Sequence, residues 1–492
     1  MSNKGFKIPK EVLQVIQALE NTGFEAYLVG GCIRDLLRRE EPRDWDITTN
    51  AKPEDITALF ENTYYNNDYG TVGVVNDNAE GKSYHVIEIT PYRLESNYSD
   101  SRRPDSVIFS DTLEDDLKRR DFTINAIAYN PTRGKIIDLY GGQEDLAARS
   151  IHAVGIAEDR FNEDALRILR AIRLAAELGF SIHCETEQAI KKTAKKLDKI
   201  ATERIRDEFT RILMSARPME GLLLAEKLSV LEFVLPDLKR GINIKQNQAH
   251  KYDVYEHNLR TLQHAADKNW SFEIRLAALL HDISKPETRR WSNEKSDYTF
   301  HGHDVVGSRV SKKILNNLKF PKKTTDKVIT LVRWHMFFAD PEKITLSAVR
   351  RTIRNVGGEK NMWDLLNLRV CDRIGTGRPK EQPFRLRKYT SMVEEVLRDP
   401  ISVAMLNIDG NRIMEITSEK PGPKIGYILH ALLEEVLDDP KKNSPDYLED
   451  HAKKLSTLSI DTLKKIGESG KLKKDEVEEK EIKDIRDKYW VK

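Results

Sequence analysis

Val29-Gly30-Gly31-Cys32-Ile33-Arg34-Asp35 and, a short step later, Arg43-Asp44-Trp45-Asp46-Ile47-Thr48 carry the reading from which the rest of the chain follows. Residues 27–29 form a short apolar run that stops at two glycines, and residues 33–37 read as the helix that follows, with Arg34 in its first turn. Glycines at a strand-to-helix turn let the backbone approach a phosphate, and the unbonded N–H groups of the helix start attract anions. Asp44 and Asp46 flank Trp45 in a strand-like stretch. Side chains alternate along a strand, so both carboxylates fall on one face and Trp45 on the other. Neighbouring carboxylates repel each other unless a divalent cation sits between them and a phosphate. A glycine turn followed by two solvated acids is the plain alternative, and the flanking stretches decide against it.

Upstream, residues 9–20 place Val12, Val15, Ile16 and Leu19 at helical spacing. Downstream, residues 53–60 read as a helix that starts at Pro53, where the missing N–H costs little. Residues 70–75 and 84–90 follow as strands, the second with Val86, Glu88 and Thr90 on one face and Ile87 and Ile89 on the other. Glu88 is thereby a candidate third carboxylate beside Asp44 and Asp46, against the plainer reading of an outward-facing strand residue. Residues 92–105 (YRLESNYSDSRRPD), with Arg93, Arg102 and Arg103, read as a loop able to close over a substrate. In Arg119-Arg120-Asp121-Phe122-Thr123-Ile124-Asn125-Ala126, Asp121 and Asn125 are expected on one helix face, leaving Phe122 and Ile124 for the core. Residues 138–146 (DLYGGQEDL) make a strand end, a glycine turn and a helix start.

These motifs, GGCIRD…RDWDIT, IEITPYR, YSDSRRPD, RRDFTINA and DLYGGQEDL, closely resemble in type and order the bacterial tRNA nucleotidyltransferases and their poly(A) polymerase relatives. Those are class II members of the polymerase-beta-like nucleotidyltransferase superfamily, and the resemblance runs from Phe6 to Asn243. It implies an α/β head, a palm with a small mixed sheet, in which Asp44 and Asp46 hold Mg²⁺ with help from Glu88. It further implies attack of an RNA 3′-hydroxyl on a nucleoside triphosphate. Gly30, Gly31, Arg34 and Arg120 would hold the triphosphate and sugar, with Asp121 and Asn125 beside them in the nucleotide site.

Residues 161–180 (FNEDALRILRAIRLAAELGF) read as one long helix, on which Glu163, Arg167 and Arg170 follow i, i+4, i+7 spacing. Asp164 lies one turn before Arg167, a spacing more often met in a surface salt bridge. Yet acceptors beside a fixed donor fork also match a base edge. In the resembling family the aspartate and arginine of this EDxLR motif read the incoming CTP or ATP; here they are Asp164 and Arg167, with Arg170 and Arg173 nearby. In ATERIRDEFTRIL, Thr202 is an N-cap candidate, and Glu203 and Arg206 are candidates to brace the arginines. Lys191, Lys192, Lys195, Lys196 and Lys199 read as a solvated face that also suits phosphate contacts.

Further on, residues 276–286 (LAALLHDISKP) form an apolar helix that delivers His281 and Asp282 at its polar end. With His257, His303, His335 and Asp372 these make a set of imidazoles and carboxylates suited to a divalent metal, with His301 as the alternative to His303. The pattern is similar to the HD phosphohydrolase domain, and the similarity implies a metal-dependent phosphatase or a 2′,3′-cyclic phosphodiesterase, its metal unassigned. The glycine turns at 407–410 and 420–426 precede an amphipathic helix over 425–437 and resemble the C-terminal part of HD-bearing tRNA nucleotidyltransferases. Beyond Asn443 the chain is polar and charged, and 467–488 reads as a solvated helix or frayed end.

At 492 residues the chain exceeds one compact core. The expected division is a nucleotidyltransferase head over 1–150, a mostly α-helical neck over 151–245, an HD body over 246–390 and a tail over 391–492. Charged residues make up 33% but the net charge is only +2, so any nucleic-acid surface is local. Cys32, Cys184 and Cys371 are far apart with no CxxC pair, which argues against a disulfide framework or zinc ribbon and for a reducing compartment. No apolar run is long enough to span a membrane and the N-terminus lacks a signal-peptide core, so a cytoplasmic protein is expected. The expected function is addition of CTP, CTP and then ATP to a tRNA 3′ end, with tRNA, CTP and ATP as partners, no membrane and no protein partner. Within the class the alternatives are an A-adding or CC-adding enzyme or a poly(A) polymerase; the complete YSDSRRPD loop speaks against the CC-only form. From another class, the alternative is an HD hydrolase with an RNA-binding head, which the paired acids disfavour.

Overall fold

The computed structural model describes residues 6–65, 70–96, 106–337, 342 and 344–466. Residues 97–105 of the candidate loop, including Arg102 and Arg103, and the charged stretch 467–488 lie outside the described residues. Two compact units divide between Val234 and Leu235.

The first unit carries the strands β1 Ala26–Val29, β2 Trp45–Thr49, β3 Thr63–Tyr65, β4 Val72–Val75, β5 Val86–Pro91, β6 Arg93–Ser96, β7 Ser106–Phe109, β8 Ile127–Asn130, β9 Lys135–Asp138, β10 Ser150–Ile151 and β11 Ser181–Ile182. Seven of them make one sheet in the order β3-β4-β5-β2-β1-β8-β9. Its β2–β5 pair is parallel and its other pairs are antiparallel, so the sheet is mixed as expected. The register sets Asp46 opposite Glu88, while Trp45 faces Ile87 and Ile47 faces Ile89. Trp45, Ile47, Ile87 and Ile89 are buried in the core that also takes Val12, Ile16 and Leu19 from the helix Lys10–Asn21. Alternation along two adjacent strands therefore sends one set of side chains to the core and the acids to the opposite face.

The loop expected from Tyr92 begins instead with a strand, because β6 pairs with β7. Tyr92 is fully buried, its N–H donates to Thr49 O, and its hydroxyl donates to Glu25 Oε2 at 3.0 Å, so the chain is tied down where it leaves the sheet. Asp121 and Asn125 do not lie on a regular helix; Thr123–Asn125 is a single 3₁₀ turn, with Phe122 and Ile124 buried beside it. The long helix expected over 161–180 is two helices, Ala157–Glu163 and Leu166–Leu178. The break is Asp164, at φ −141° and ψ 103°. Its carboxylate accepts the N–H of Leu166 at 3.0 Å, capping the second helix, and a short-chain acid gains more from such a cap than from a helix interior. Thr202 opens the helix Thr202–Met214 as its first residue, with Ala201 at the cap position.

The second unit is mostly helical. The helices Val254–Asp267, Phe272–Leu280, His303–Asn317, Lys322–Trp334 and Glu359–Gly375 surround the histidines, and a small hairpin, β12 Arg290–Ser292 with β13 Asp297–Thr299, precedes His303. Helices Gly410–Thr417, Pro423–Asp438 and Pro445–Ser456 form a separate core around Ile413, Ile428, Leu432, Leu448 and Leu455. The stretch after Asn443 is thus less uniformly polar than its composition suggests, since Leu448, Ala452 and Leu455 recur at helical spacing and are buried. No helix among the described residues is long and apolar enough to cross a membrane.

Candidate functional site

Gly30 ends β1 at φ +79°, a conformation that favours glycine, and hands the chain to the helix Gly31–Leu37. A Cβ on Gly30 would sit 3.3 Å from Arg120 Nη1 and 3.4 Å from Asp46 Oδ2; one on Gly31 would sit 3.6 Å from Arg34 Nη2 and 3.8 Å from Asp44 Oδ1. The two glycines therefore lie between paired carboxylates and two guanidiniums. Around them opens a cleft of about 470 Å³, which Asp121, Asn125, Arg170 and Arg173 also line. The cleft thus gathers every nucleotide-site residue expected from the sequence except Asp164 and Arg167. It also takes in Arg38, Arg43, Arg211 and Arg217, which the sequence reading left out. Arg38 was within reach of that reading, one helical turn beyond Arg34; Arg211 and Arg217 come from chain far downstream and gave no local signal.

Arg120, Arg170 and Arg173 are each held by an acid. Asp116, fully buried on the helix Leu113–Lys118, accepts from Arg120 Nη2 at 3.0 Å and Arg119 Nε at 3.1 Å. Burial works against its charge, but Arg119 and Arg120 hold its carboxyl down to about 2. Asp116 was missed in the sequence, although its place three and four residues before the arginine pair is the signal. Asp121 pairs with Arg170 at 3.1 Å and accepts from Asn125 Nδ2 at 3.2 Å, and Asn125 Oδ1 accepts from Arg34 Nη1 at 2.9 Å. Arg173 is clamped by Glu208 at 2.7 Å and Glu177 at 2.9 Å.

Asp46 shows the opposite electrostatics. Burial, with Asp44 and Glu88 beside it, pushes its carboxyl up to about 7 against the pull of Arg120 and Arg170. Three converging carboxylates, one too crowded to ionise freely, are a donor set that fits a hard, oxygen-seeking divalent cation.

Asp164 and Arg167 are engaged by the protein next to the cleft. Arg204 Nη2 donates to Asp164 Oδ2 at 2.7 Å. Buried Arg167 donates to Glu163 Oε2 at 2.5 Å, to Arg160 O at 3.1 Å and to Arg119 O at 2.9 Å. Arg204 and Glu208, from one helix, thus join the brace for which Glu203 and Arg206 were the candidates; Arg206 pairs with its neighbour Asp207 at 2.8 Å.

The second unit brings its whole expected set together. His257 Nε2 lies 3.0 Å from His281 Nε2, and His303 Nε2 lies 3.1 Å from His335 Nε2. Asp282 stands between the pairs, with Oδ2 3.1 Å from His257 and Oδ1 3.3 Å from His303, while Asp372 Oδ1 is 3.4 Å from His257. His301 is exposed, so His303 is the member. The Nδ1 atoms of His281, His303 and His335 meet backbone carbonyls at 2.9, 2.6 and 2.6 Å. Those bonds fix the tautomer and leave the Nε2 lone pairs facing one another, an arrangement that a cation relieves. Burial alone would lower His281, yet Asp282 and Asp372 push it up to about 10, which marks the demand for positive charge here. Nitrogen and carboxylate donors fit a divalent transition metal.

Known proteins share this architecture. Family models match for the Poly A polymerase head domain over residues 26–152, the probable RNA and SrmB-binding site of polymerase A over 179–242, and the HD domain over 254–374. The CCA-adding enzyme of Leuconostoc mesenteroides is 32% identical over 91% of this chain and 97% of its own length. That of Lactobacillus helveticus is 35% identical over 89% of this chain and 96% of its own. The Leuconostoc citreum CCA-adding enzyme reaches 46% identity over 49% of this chain and 60% of its own. The crystal structure of the Bacillus stearothermophilus CCA-adding enzyme in complex with CTP superimposes with a TM-score of 0.68 at 28% identity, covering 91% of this chain and 97% of that one.

The raised carboxyl of Asp46 sets a pH dependence. An ordinary unfolded aspartate titrates near 4, and the folded group near 7, so the stability this group contributes is full below about 4 and is lost as pH rises through about 7. In EDTA, the melting temperature of the wild type should fall from pH 6 to pH 8 more steeply than that of Asp46→Asn. A divalent cation should remove much of the difference; parallel curves with and without the cation would contradict the assignment.

Proposed function

The chain belongs to the family of CCA-adding enzymes, tRNA nucleotidyltransferases, and on that premise we propose that its head cleft adds CTP, CTP and ATP in turn to a tRNA 3′ end without a nucleic-acid template. The observation that carries the assignment of residues is the meeting of Asp44 and Asp46 beside the Gly30-Gly31 turn and the cleft arginines, with Glu88 set against Asp46 across the strand pair. In the reaction the tRNA 3′-hydroxyl oxygen bonds to the α-phosphorus of the triphosphate, the bond from that phosphorus to the β-phosphate oxygen breaks, and pyrophosphate leaves. Asp44 and Asp46, with Glu88, would hold Mg²⁺, whose chemistry when bound is to favour ionisation of the hydroxyl and to neutralise the triphosphate. Gly30 and Gly31 let the backbone close on the phosphates, and Arg34 and Arg120, oriented by Asn125 and Asp116, supply donors to them. Asp121 fixes Arg170 at the same wall.

Base choice is assigned to Asp164 and Arg167, an acceptor and a donor fork held in place by Arg204 and Glu163. Arg170 and Arg173 complete that wall of the nucleotide site. The chain divides, in this reading, into a head over 1–150, a neck over 151–245 that carries base and RNA contacts, an HD body over 246–390 and a tRNA-binding tail over 391–492. The opposed Nε2 atoms of the HD cluster favour a second activity, metal-dependent hydrolysis of a 2′,3′-cyclic phosphate or a phosphorylated 3′ end, with His257, His281, Asp282, His303, His335 and Asp372 as ligands.

Incubation with tRNA ending at the discriminator base, or one or two cytidines beyond it, and labelled CTP or ATP tests the main reading. Wild type should complete CCA on all three. Asp44→Ala and Asp46→Ala should abolish addition and still bind tRNA; near-normal incorporation by either would sink the metal assignment. Arg167→Ala should erode discrimination against GTP and UTP by roughly ten- to hundredfold, from the 1–3 kcal/mol of a bidentate base contact. An equal loss for every triphosphate would make Arg167 a structural partner only. His281→Ala with Asp282→Ala should lose cyclic-phosphate opening in Mg²⁺, Mn²⁺, Ni²⁺ or Co²⁺ and retain CTP addition. A wild type inactive with all four metals would leave the cluster structural.

A further inference from the structure

We propose that His152, His183 and Glu185 form a binding site for a divalent transition ion of the zinc class, on the seam between β10 and β11. The strands run parallel with Ser150 beside Ser181 and Ile151 beside Ile182, so one step further His152 falls beside His183. The two imidazoles stack with centroids 4.1 Å apart and planes 29° from parallel. Glu185, in the first turn of the helix Cys184–Thr193, reaches back until its Oε2 is 3.8 Å from His152 Nε2. One donor atom from each of the three residues lies within 4.8 Å of the others. His183 Nδ1 is shut off from solvent with no hydrogen-bond partner, and a polar atom left so is costly unless something binds it.

Two imidazoles and one carboxylate are a recognised donor set for zinc, and three protein ligands leave a fourth position for water. Ligand atoms around a tetrahedral zinc stand roughly 3.3 Å apart, as bond lengths near 2.0–2.1 Å require, so the donors must draw in and the stacked rings must rotate out of parallel to aim their nitrogens at one point. The side chain of Glu185 is 74% exposed and can make that movement without disturbing the core.

Such an ion sits one contact behind the nucleotide cleft. His152 O accepts the N–H of Thr123 at 2.9 Å, and Asp145, 3.4 Å from His152 Nδ1, accepts the Thr123 hydroxyl at 2.6 Å. Thr123 opens the turn that carries Asn125, just after Asp121. Metal at the seam therefore fastens that turn to β11 and the helix after it, a positioning role distinct from the head carboxylates and from the HD cluster.

The full-length protein, stripped with EDTA and treated with diethyl pyrocarbonate, should show His152 ethoxycarbonylated in its own tryptic peptide. Micromolar Zn²⁺ should protect it several-fold, and Co²⁺ likewise. Glu185→Gln, a change at an exposed side chain that leaves the fold intact, should lose the protection and need far more Zn²⁺ to regain it. His183→Gln should behave the same way. No protection in the wild type, protection only at millimolar Zn²⁺, or equal protection in wild type and Glu185→Gln would each overturn the site. Reading one peptide keeps the result separate from metal bound at the HD histidines.

Discussion

Repulsion among crowded carboxylates is the constraint on which the head depends. The parallel pairing of β2 with β5 sets Asp46 against Glu88, and the residue before β2 adds Asp44. That concentration of negative charge is tolerated because Arg120 and Arg170 stand beside it, and those arginines in turn need Asp116 and Asp121. The cleft is thus a lattice of alternating charges, with Asp44 and Asp46 set against the Gly30-Gly31 turn. Such a lattice holds its groups in position before the ligands arrive, which lowers the reorganisation the reaction demands.

The two units gather different donor chemistry. The head offers oxygen only, from strands whose alternation aligns the acids. The HD cluster offers mainly imidazole nitrogen, from helices whose ends converge, with backbone carbonyls fixing the rings of His281, His303 and His335. Imidazole nitrogen is a softer donor than carboxylate oxygen, so the two sets differ in the ions they suit.

Much of this was legible in the chain. Strand alternation alone predicts one face for Asp44 and Asp46 and puts Glu88 on the face away from Ile87 and Ile89, whereas the HD set was legible through its resemblance to the HD domain, its members lying far apart in the chain. What was not legible depended on contacts between distant segments. Tyr92 is buried by reaching Glu25, and that anchor converts the start of an apparent loop into β6. His301 and His303 look equivalent in sequence, and only the packing of the helix His303–Asn317 turns the second inward. The pattern of leucines and isoleucines over 161–180 is continuous, and it hid the cap at Asp164, which competes with the helix through a side chain rather than through any loss of hydrophobic rhythm.

That cap has a consequence for how the family's sequences can drift. Because the helix Leu166–Leu178 starts afresh after Asp164, its angular phase is set by its own first turn and not by Ala157–Glu163. A helix advances about 100° per residue. One residue gained or lost inside Leu166–Leu178 would swing Arg170 and Arg173 off the cleft wall and away from Asp121 and Glu208. A length change before Arg160 leaves untouched both that phase and the contacts of Arg167 with Arg160 and Glu163. The break acts as a joint that uncouples the two helices' bookkeeping of rotation, so variation in length belongs upstream of it and the arginine face downstream admits substitution only in place.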